Sequence, residues 1–270
     1  TYPEVEEREG YTFNGWDPNV TVMPKHNVTT RALWTINNYT MTFDYGNGTV
    51  VNKTLNFNET ITYPIPTREG YTFNRWDHYF TAMPAHDITV VAQWTANNYT
   101  VTLDVNGGDK LRTSEVNVTY DKEYGELPTP TRTGYTFFGW FTEKDEGEKI
   151  IFTTVVTITT SQTLYAHWSE NNYTLTFDFN NGTVTEEELK FNKSISYPKV
   201  GEKEGYTFEG WCKEEDETVC NLATVPAENT TFVAKWTANN YTITFDYGNG
   251  TTTNVELNFN DTIDYPIDVT

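Results

Sequence analysis

Apolar residues alternate with polar ones in four stretches of the chain: Tyr39, Met41 and Phe43; Tyr99, Val101 and Leu103; Tyr173, Leu175 and Phe177; Tyr241, Ile243 and Phe245. A period of two is the pattern of a strand with one buried face. Each stretch runs into a turn signal, Gly46-Asn47-Gly48, Asn106-Gly107-Gly108, Asn181-Gly182 or Gly248-Asn249-Gly250, built from residues that tolerate the positive φ of hairpin turns. In the best-preserved copy a second strand follows through Leu55, Phe57, Ile61 and Tyr63 to Pro64. A third strand starts after Gly70, with Tyr71 and Phe73 on one face and Trp76 beyond them, reached through a bulge. Ile88, Val90, Ala92 and Trp94 alternate in the last strand. No stretch holds a long helical period, which leaves short helical turns only before the third strand or over 77–83.

These patterns recur in fixed order. The motif Gly-Tyr-Thr-Phe-x-x-Trp begins at Gly10, Gly70, Gly134 and Gly205 and ends at Trp16, Trp76, Trp140 and Trp211. Asn-Asn-Tyr-Thr begins at Asn37, Asn97, Asn171 and Asn239, and the last strands close on Trp34, Trp94, Trp168 and Trp236. All eight Trp therefore occupy two positions of one internal repeat and are expected in its cores. The expected division is the second half of a repeat over 1–36, whole repeats over 37–96, 97–169 and 170–238, and the first half of a repeat over 239–270. A domain of about 70 residues buries only about 60% of its unfolded surface. The aromatic fraction of 16% compensates, because Trp, Tyr and Phe each bury about 150–250 Å². The few residues between one closing Trp and the next first strand are too short for a flexible linker, so the expected fold class is mainly β, a tandem array forming an elongated rod.

The order Tyr-Thr-x-Thr-Phe-Asp, Asn-Gly, Tyr-Pro, Gly-Tyr-Thr-Phe-x-x-Trp, Met-Pro-Ala-x-Asp and Ala-x-Trp resembles the Listeria–Bacteroides repeat, the family of the internalin B-type B repeat. The resemblance covers nearly the whole chain. It implies small β-grasp-like domains, α+β at most, used as spacers or weak adhesive modules on cell surfaces, with no shared catalytic residues. Met83-Pro84-Ala85-His86-Asp87 follows the family pattern, whereas a Thr-rich stretch replaces it within 141–161.

The net charge of −20 disfavours nucleic acid and anionic membrane faces as partners. No apolar run approaches bilayer length, so no membrane insertion is expected within this segment. Cys212 and Cys220 bracket a short acidic stretch after Trp211 and read as a local disulfide of an extracellular chain. Neither they nor the scattered His26, His78, His86 and His167 form a metal-ligand set. The five Ser lie in no nucleophile motif, and 38 acids make chance carboxylate pairs uninformative. No catalytic residue, cofactor site or metal site is assigned, and the chain reads as no enzyme. Asp-containing turns such as 44–48 and 178–182 lack the spaced oxygen ligands and closing Glu of a calcium loop.

Asn-x-Ser/Thr occurs at Asn19, Asn27, Asn38, Asn47, Asn52, Asn58, Asn98, Asn117, Asn172, Asn181, Asn192, Asn229, Asn240, Asn249 and Asn260. Two readings stand side by side: turn and strand chemistry of Asn and Thr, or the acceptor sites of a glycoprotein. The repeating aromatics read as core. Tyr79, Phe80, Phe138, Phe141 and Phe152 do not recur and are the better candidates for contact with glycans or host surface proteins.

Two functions are therefore expected: a spacer of an extracellular or cell-surface protein, or an adhesin module binding through repeat loops. Recurrence outside the cores is limited to Asn-Asn and Asn-Gly turns, which favours the spacer. The two half repeats imply as partners either adjoining repeats of a longer chain or copies of this one, joined head-to-tail into a filament by strand complementation.

Overall fold

The computed structural model describes residues 3–265. Among them the regular elements are strands, with no helix. The first half repeat is the hairpin-like pair β1 (Tyr11–Asp17) and β2 (Arg31–Ile36). The next repeat contains β3 (Asn38–Asp44), β4 (Val50–Asn56), β5 (Tyr71–Trp76) and β6 (Ile88–Ala96). They form one sheet in the order β4-β3-β6-β5. β3 pairs antiparallel with β4 from Asn38↔Asn56 to Asp44↔Val50, and parallel with β6 from Met41↔Ile88 to Asp44↔Val91. This is the mixed 2-1-4-3 sheet of a β-grasp, and the crossover that a helix makes in that fold is here irregular chain.

The following repeat contributes β7 (Asn98–Asp104), β8 (Glu115–Thr119), β9 (Tyr135–Phe141), β10 (Lys149–Ile150) and β11 (Gln162–Glu170). The last whole repeat contains β12 (Asn172–Asp178), β13 (Val184–Lys190), β14 (Tyr206–Lys213) and β15 (Thr230–Ala238), again in the order β13-β12-β15-β14 with a parallel central pair. β16 (Asn240–Asp246) and β17 (Thr252–Asn258) form the final antiparallel pair. The chain divides into two compact units, one of Thr1–Leu103, Ser114–Leu127 and Ile150–Thr163, the other of Asp104–Thr113, Pro128–Lys149 and Leu164–Thr270. β7 and β8 fall in the first of these, or within a residue of it, and β9 in the second.

The bulge expected before Trp76 is present. Between Phe73 and Arg75 the register of β5 against β6 slips by one residue, and the same slip separates Phe13 from Gly15 and Phe208 from Gly210. Without it, residues three apart on a strand would face opposite sides. The extra residue brings Phe73 and Trp76 onto the same side, their rings 5.6 Å apart edge to face. Trp76 is 1% exposed, packed with Met41, Phe43, Leu55, Met83 and Val90. Its buried indole N–H donates to the carbonyl of Pro64 at 3.2 Å, as Trp140 does to Pro128 and Trp211 to Pro198. The Pro of the Tyr-Pro signal, kept as Leu127-Pro128 in one repeat, is thus the hydrogen-bond partner of the core indole.

Met83 is clasped by the crossover, its N–H donating to Glu59 and its carbonyl accepting from Asn58. Val156 and Val225 are held the same way. This clasp occupies the stretch where a helical turn was one expectation. Over 77–83 the Asp77 carboxylate accepts the N–H groups of His78 and Val91 instead, and the chain bends without coiling. The second strand also stops earlier than its alternation suggests, at Asn56, and 57–64 carries only a bridge from Thr60 to Ala82.

The closing Trp residues differ from the core ones. Trp34, Trp94, Trp168 and Trp236 are half-buried, as is Trp16 in the first half repeat, and Trp94 and Trp236 pack against the margin of their cores. The Trp94 N–H donates to the Tyr45 carbonyl at 2.8 Å, and that of Trp168 to Val105 at 3.1 Å. The ring lies over the turn that ends the first strand, which leaves one edge in water.

Candidate functional site

The arrangement that recurs most faithfully outside the cores is the junction between consecutive repeats. The first Asn of each Asn-Asn pair is its hub. The Asn37 N–H donates to the carbonyl of Gly10 in the preceding repeat at 2.9 Å, and its own carbonyl accepts from Phe57 N–H at 2.9 Å. Its Oδ1 accepts the Thr12 hydroxyl at 2.6 Å. Asn97 makes the same three bonds with Gly70, Tyr120 and Thr72, Asn171 with Gly134, Phe191 and Thr136, and Asn239 with Gly205, Phe259 and Thr207. All four hubs are half-buried.

Above each hub the next repeat lays an aromatic ring on the preceding repeat's Gly. A Cβ built on Gly70 would stand 2.3 Å from the Tyr120 ring, and one on Gly134 would stand 2.2 Å from that of Phe191. Each of these Gly residues also holds a positive φ, between 72° and 79°, so both sterics and conformation demand glycine. The Tyr after the Gly meets the incoming ring edge to face, with Tyr71–Tyr120 centroids 5.6 Å apart and Tyr135–Phe191 5.8 Å apart. A cation covers the Tyr: Arg68 lies 3.8 Å above Tyr71, Arg132 3.9 Å above Tyr135, and Lys203 4.4 Å above Tyr206. At one junction Tyr71 donates to the Asp121 carboxylate at 2.7 Å, and that bond is the main reason its pKa is raised.

The repeats diverge at the position after the core Trp. Asp77 there is raised by burial, but the N–H of Val91 and the contacts of His78 outweigh this and hold its carboxyl below the ordinary carboxylate value. In the next repeat the position is Phe141, whose ring stacks on His167 at 4.0 Å and on Phe138 at 5.7 Å, with the Lys149 ammonium 4.4 Å from Phe138. Phe138 is 57% exposed. In the last whole repeat the position is Cys212, disulfide-bonded to Cys220. Cys212 is buried, and the bond closes the acidic hairpin onto β14.

Of the non-recurring aromatics, Tyr79, Phe138 and Phe152 are exposed, while Phe80 packs against the core around Trp76. All fifteen Asn of the Asn-x-Ser/Thr triplets are exposed. Among the described residues no group of His, Cys, Asp or Glu is arranged to hold a metal ion. In the sequence the Asn pairs read as turn signals and Phe57 as a strand position. The signal that marks the junction is the aromatic that follows each Asn-Asn pair, 20 residues on at Phe57, Phe191 and Phe259 and 23 residues on at Tyr120.

The family model of the Listeria-Bacteroides repeat domain matches residues 39–93, 99–167 and 173–235. A protein of Evansella cellulosilytica described as a Gly-rich membrane protein is 32% identical over 90% of this chain and 31% of its own length. A second membrane protein of that organism is 34% identical over 81% of this chain and 35% of its own. Internalin H of Listeria monocytogenes is 41% identical over 49% of this chain and 25% of its own. The chain thus spans about a third or less of the curated relatives it matches. Three consecutive matches, each coinciding with one round of strands and a core Trp, make this chain a member of the Listeria-Bacteroides repeat family.

Proposed function

We propose that this chain is a non-catalytic spacer segment of a cell-surface protein, a run of repeats joined stiffly enough to hold other parts of that protein away from the surface. The junction carries the reading. Core packing would be conserved in any folded repeat, but a glycine socket, an aromatic plug and an Asn hub kept at four successive junctions serve only the coupling of one repeat to the next. Membrane-protein relatives and an internalin that carry similar sequence support the location. The test is to pull the chain by its ends in single-molecule force spectroscopy. A spacer of this kind shows no soft lengthening before a repeat unfolds, whereas compliant junctions give extension at low force with every repeat intact.

Half repeats need completion. Among the described residues Met23 is 72% exposed where its equivalent Met83 is 1% exposed. A concavity of about 1030 Å³ opens beside Phe13, Trp16 and Trp34, whose equivalents in the whole repeats pack beneath the first strand. By analogy with the register of β3 on β6, residues 28–31 are the stretch that would take a first strand in parallel, and 243–246 of β16 is the matching stretch. A spacer would draw the complement from another repeat of the same protein. A second copy supplying it would build a filament, and light scattering on the purified chain separates the two.

The stack of Phe138, Phe141 and His167 favours a second reading, an adhesive face on one repeat that takes a glycan or a host surface protein. Binding to arrayed glycans or surface proteins that Phe138→Ala abolishes would establish it.

A further inference from the structure

The two Asn of each Asn-Asn pair are chemically identical, yet the structure uses them oppositely. The first is the half-buried hub. The second, Asn38, Asn98, Asn172 or Asn240, opens the first strand, is exposed, and is the Asn of an Asn-Tyr-Thr triplet. The separation extends further. Among the described residues, the Asn side chains that donate through Nδ2 include the four hubs, Asn14 and Asn74 to neighbouring threonines, Asn56 to Glu59, and Asn106 to the Ala166 carbonyl, eight in all. None of these eight lies in an Asn-x-Ser/Thr triplet. Triplet Asn such as Asn98, which accepts from Thr119, and Asn229, which accepts from Thr174, bond through Oδ1.

Fold requirements account for some triplets. Asn58, Asn192 and Asn260 hold left-handed φ of 66°, 63° and 68°, a conformation Asn favours, and Asn47, Asn181 and Asn249 cap turns through Oδ1. No such requirement applies on a strand, where Asn is a poor choice. Among the described residues the exposed strand Asn38, Asn52, Asn172 and Asn240 make no side-chain hydrogen bond, Asn98 on β7 and Asn117 on β8 accept only a cross-strand Thr hydroxyl through Oδ1, and none of the six donates through Nδ2.

We propose that these six Asn are N-glycosylation acceptors. Nδ2 attacks C1 of the first sugar of a lipid-diphosphate-linked oligosaccharide. The C1–N bond forms as the C1–O bond to the diphosphate breaks, and the lipid diphosphate leaves with the electron pair while the lost amide proton passes to it. The product keeps one N–H, so Oδ1 bonds such as that of Asn98 survive. Sugar chains along the strands cover backbone and screen proteases, a property that goes beyond the spacer reading and does not depend on it.

The test is the chain isolated from its own cells, treated with peptide-N-glycosidase in ¹⁸O-water and mapped by mass spectrometry. The expected result is a fall in intact mass, with labelled Asp at strand positions such as 38, 98 and 172 and unmodified Asn at 14, 37, 56, 74, 97 and 106. Thr40→Ala and Thr174→Ala, whose hydroxyls make no bond in the structure, remove the label at Asn38 and Asn172 while Thr40→Ser keeps it. Unlabelled Asn at all six strand positions overturns the proposal, as does label confined to the turn and left-handed Asn.

Discussion

Gly134→Ala isolates the junction from the rest of the fold. Two costs add at this position. The backbone holds φ at 79°, a conformation that charges an L-residue about 1–2 kcal/mol. The new Cβ would also lie 2.2 Å from Phe191 Cδ1 and 2.3 Å from its Cγ. The ring must therefore move off its socket, at the 1–3 kcal/mol typical of overpacking, and it loses part of its edge-to-face contact with Tyr135. Gly182→Ala is the control, because Gly182 has φ of 85° but nothing within 4 Å of its would-be Cβ. The expected loss is thus about 2–5 kcal/mol for Gly134→Ala against about 1–2 kcal/mol for Gly182→Ala. Urea unfolding of the full chain gives the global effect. Hydrogen exchange at the Asn171 amide, which donates to the Gly134 carbonyl at 3.0 Å, gives the local one. Equal losses in the two variants, with unchanged exchange at Asn171, would refute the socket.

Other outcomes follow from the same geometry. Trp76→Ala and Trp211→Ala should each cost about 3–5 kcal/mol, and Trp94→Ala less because its ring is already half in water; unfolding midpoints that rank the other way would contradict the core assignment. Reducing the Cys212–Cys220 bond, which spans a separation of 8 residues, should remove about 2–3 kcal/mol by the chain-entropy model, read as a lower unfolding midpoint confined to that repeat. Asp77 has a folded pKa below its unfolded one, so its contribution is full above the unfolded value and is lost as pH falls through the folded one. The stability gap between the native chain and Asp77→Asn should therefore narrow below about pH 4 and not at neutral pH. Burial pushes Tyr197 up to about 12 despite the bond to the Leu222 carbonyl. Its contribution should be complete below about pH 10 and disappear as pH rises through the folded value, which Tyr197→Phe would abolish.

The parts of the fold legible in the sequence are those set by local chemistry. Alternation placed the strands, the three-residue step from Phe73 to Trp76 required the bulge, and the spacing of Cys212 and Cys220 suited a hairpin bridge. Contacts between repeats were hidden for a physical reason. Phe57 follows Leu55 in the alternation of the second strand, and nothing in that pattern reveals that the chain leaves the sheet at Asn56 and turns the ring toward Gly10. The hub Asn was hidden by its neighbour, since a pair of Asn reads as one polar turn when one member is a three-bond clamp and the other faces water. The half-exposure of Trp94 was equally invisible, because alternation assigns a face but not a depth.

The hub Asn lock each repeat to the one before it. Native-state hydrogen exchange on the full chain reads this at the amides of Asn97, Asn171 and Asn239, which donate to Gly70, Gly134 and Gly205 at 2.9, 3.0 and 2.8 Å. The prediction is protection equal to that of interior strand amides such as Phe43 and Phe177, lost only when a repeat unfolds. Exchange at those three amides as fast as in an open linker, with the strand amides still protected, would contradict it.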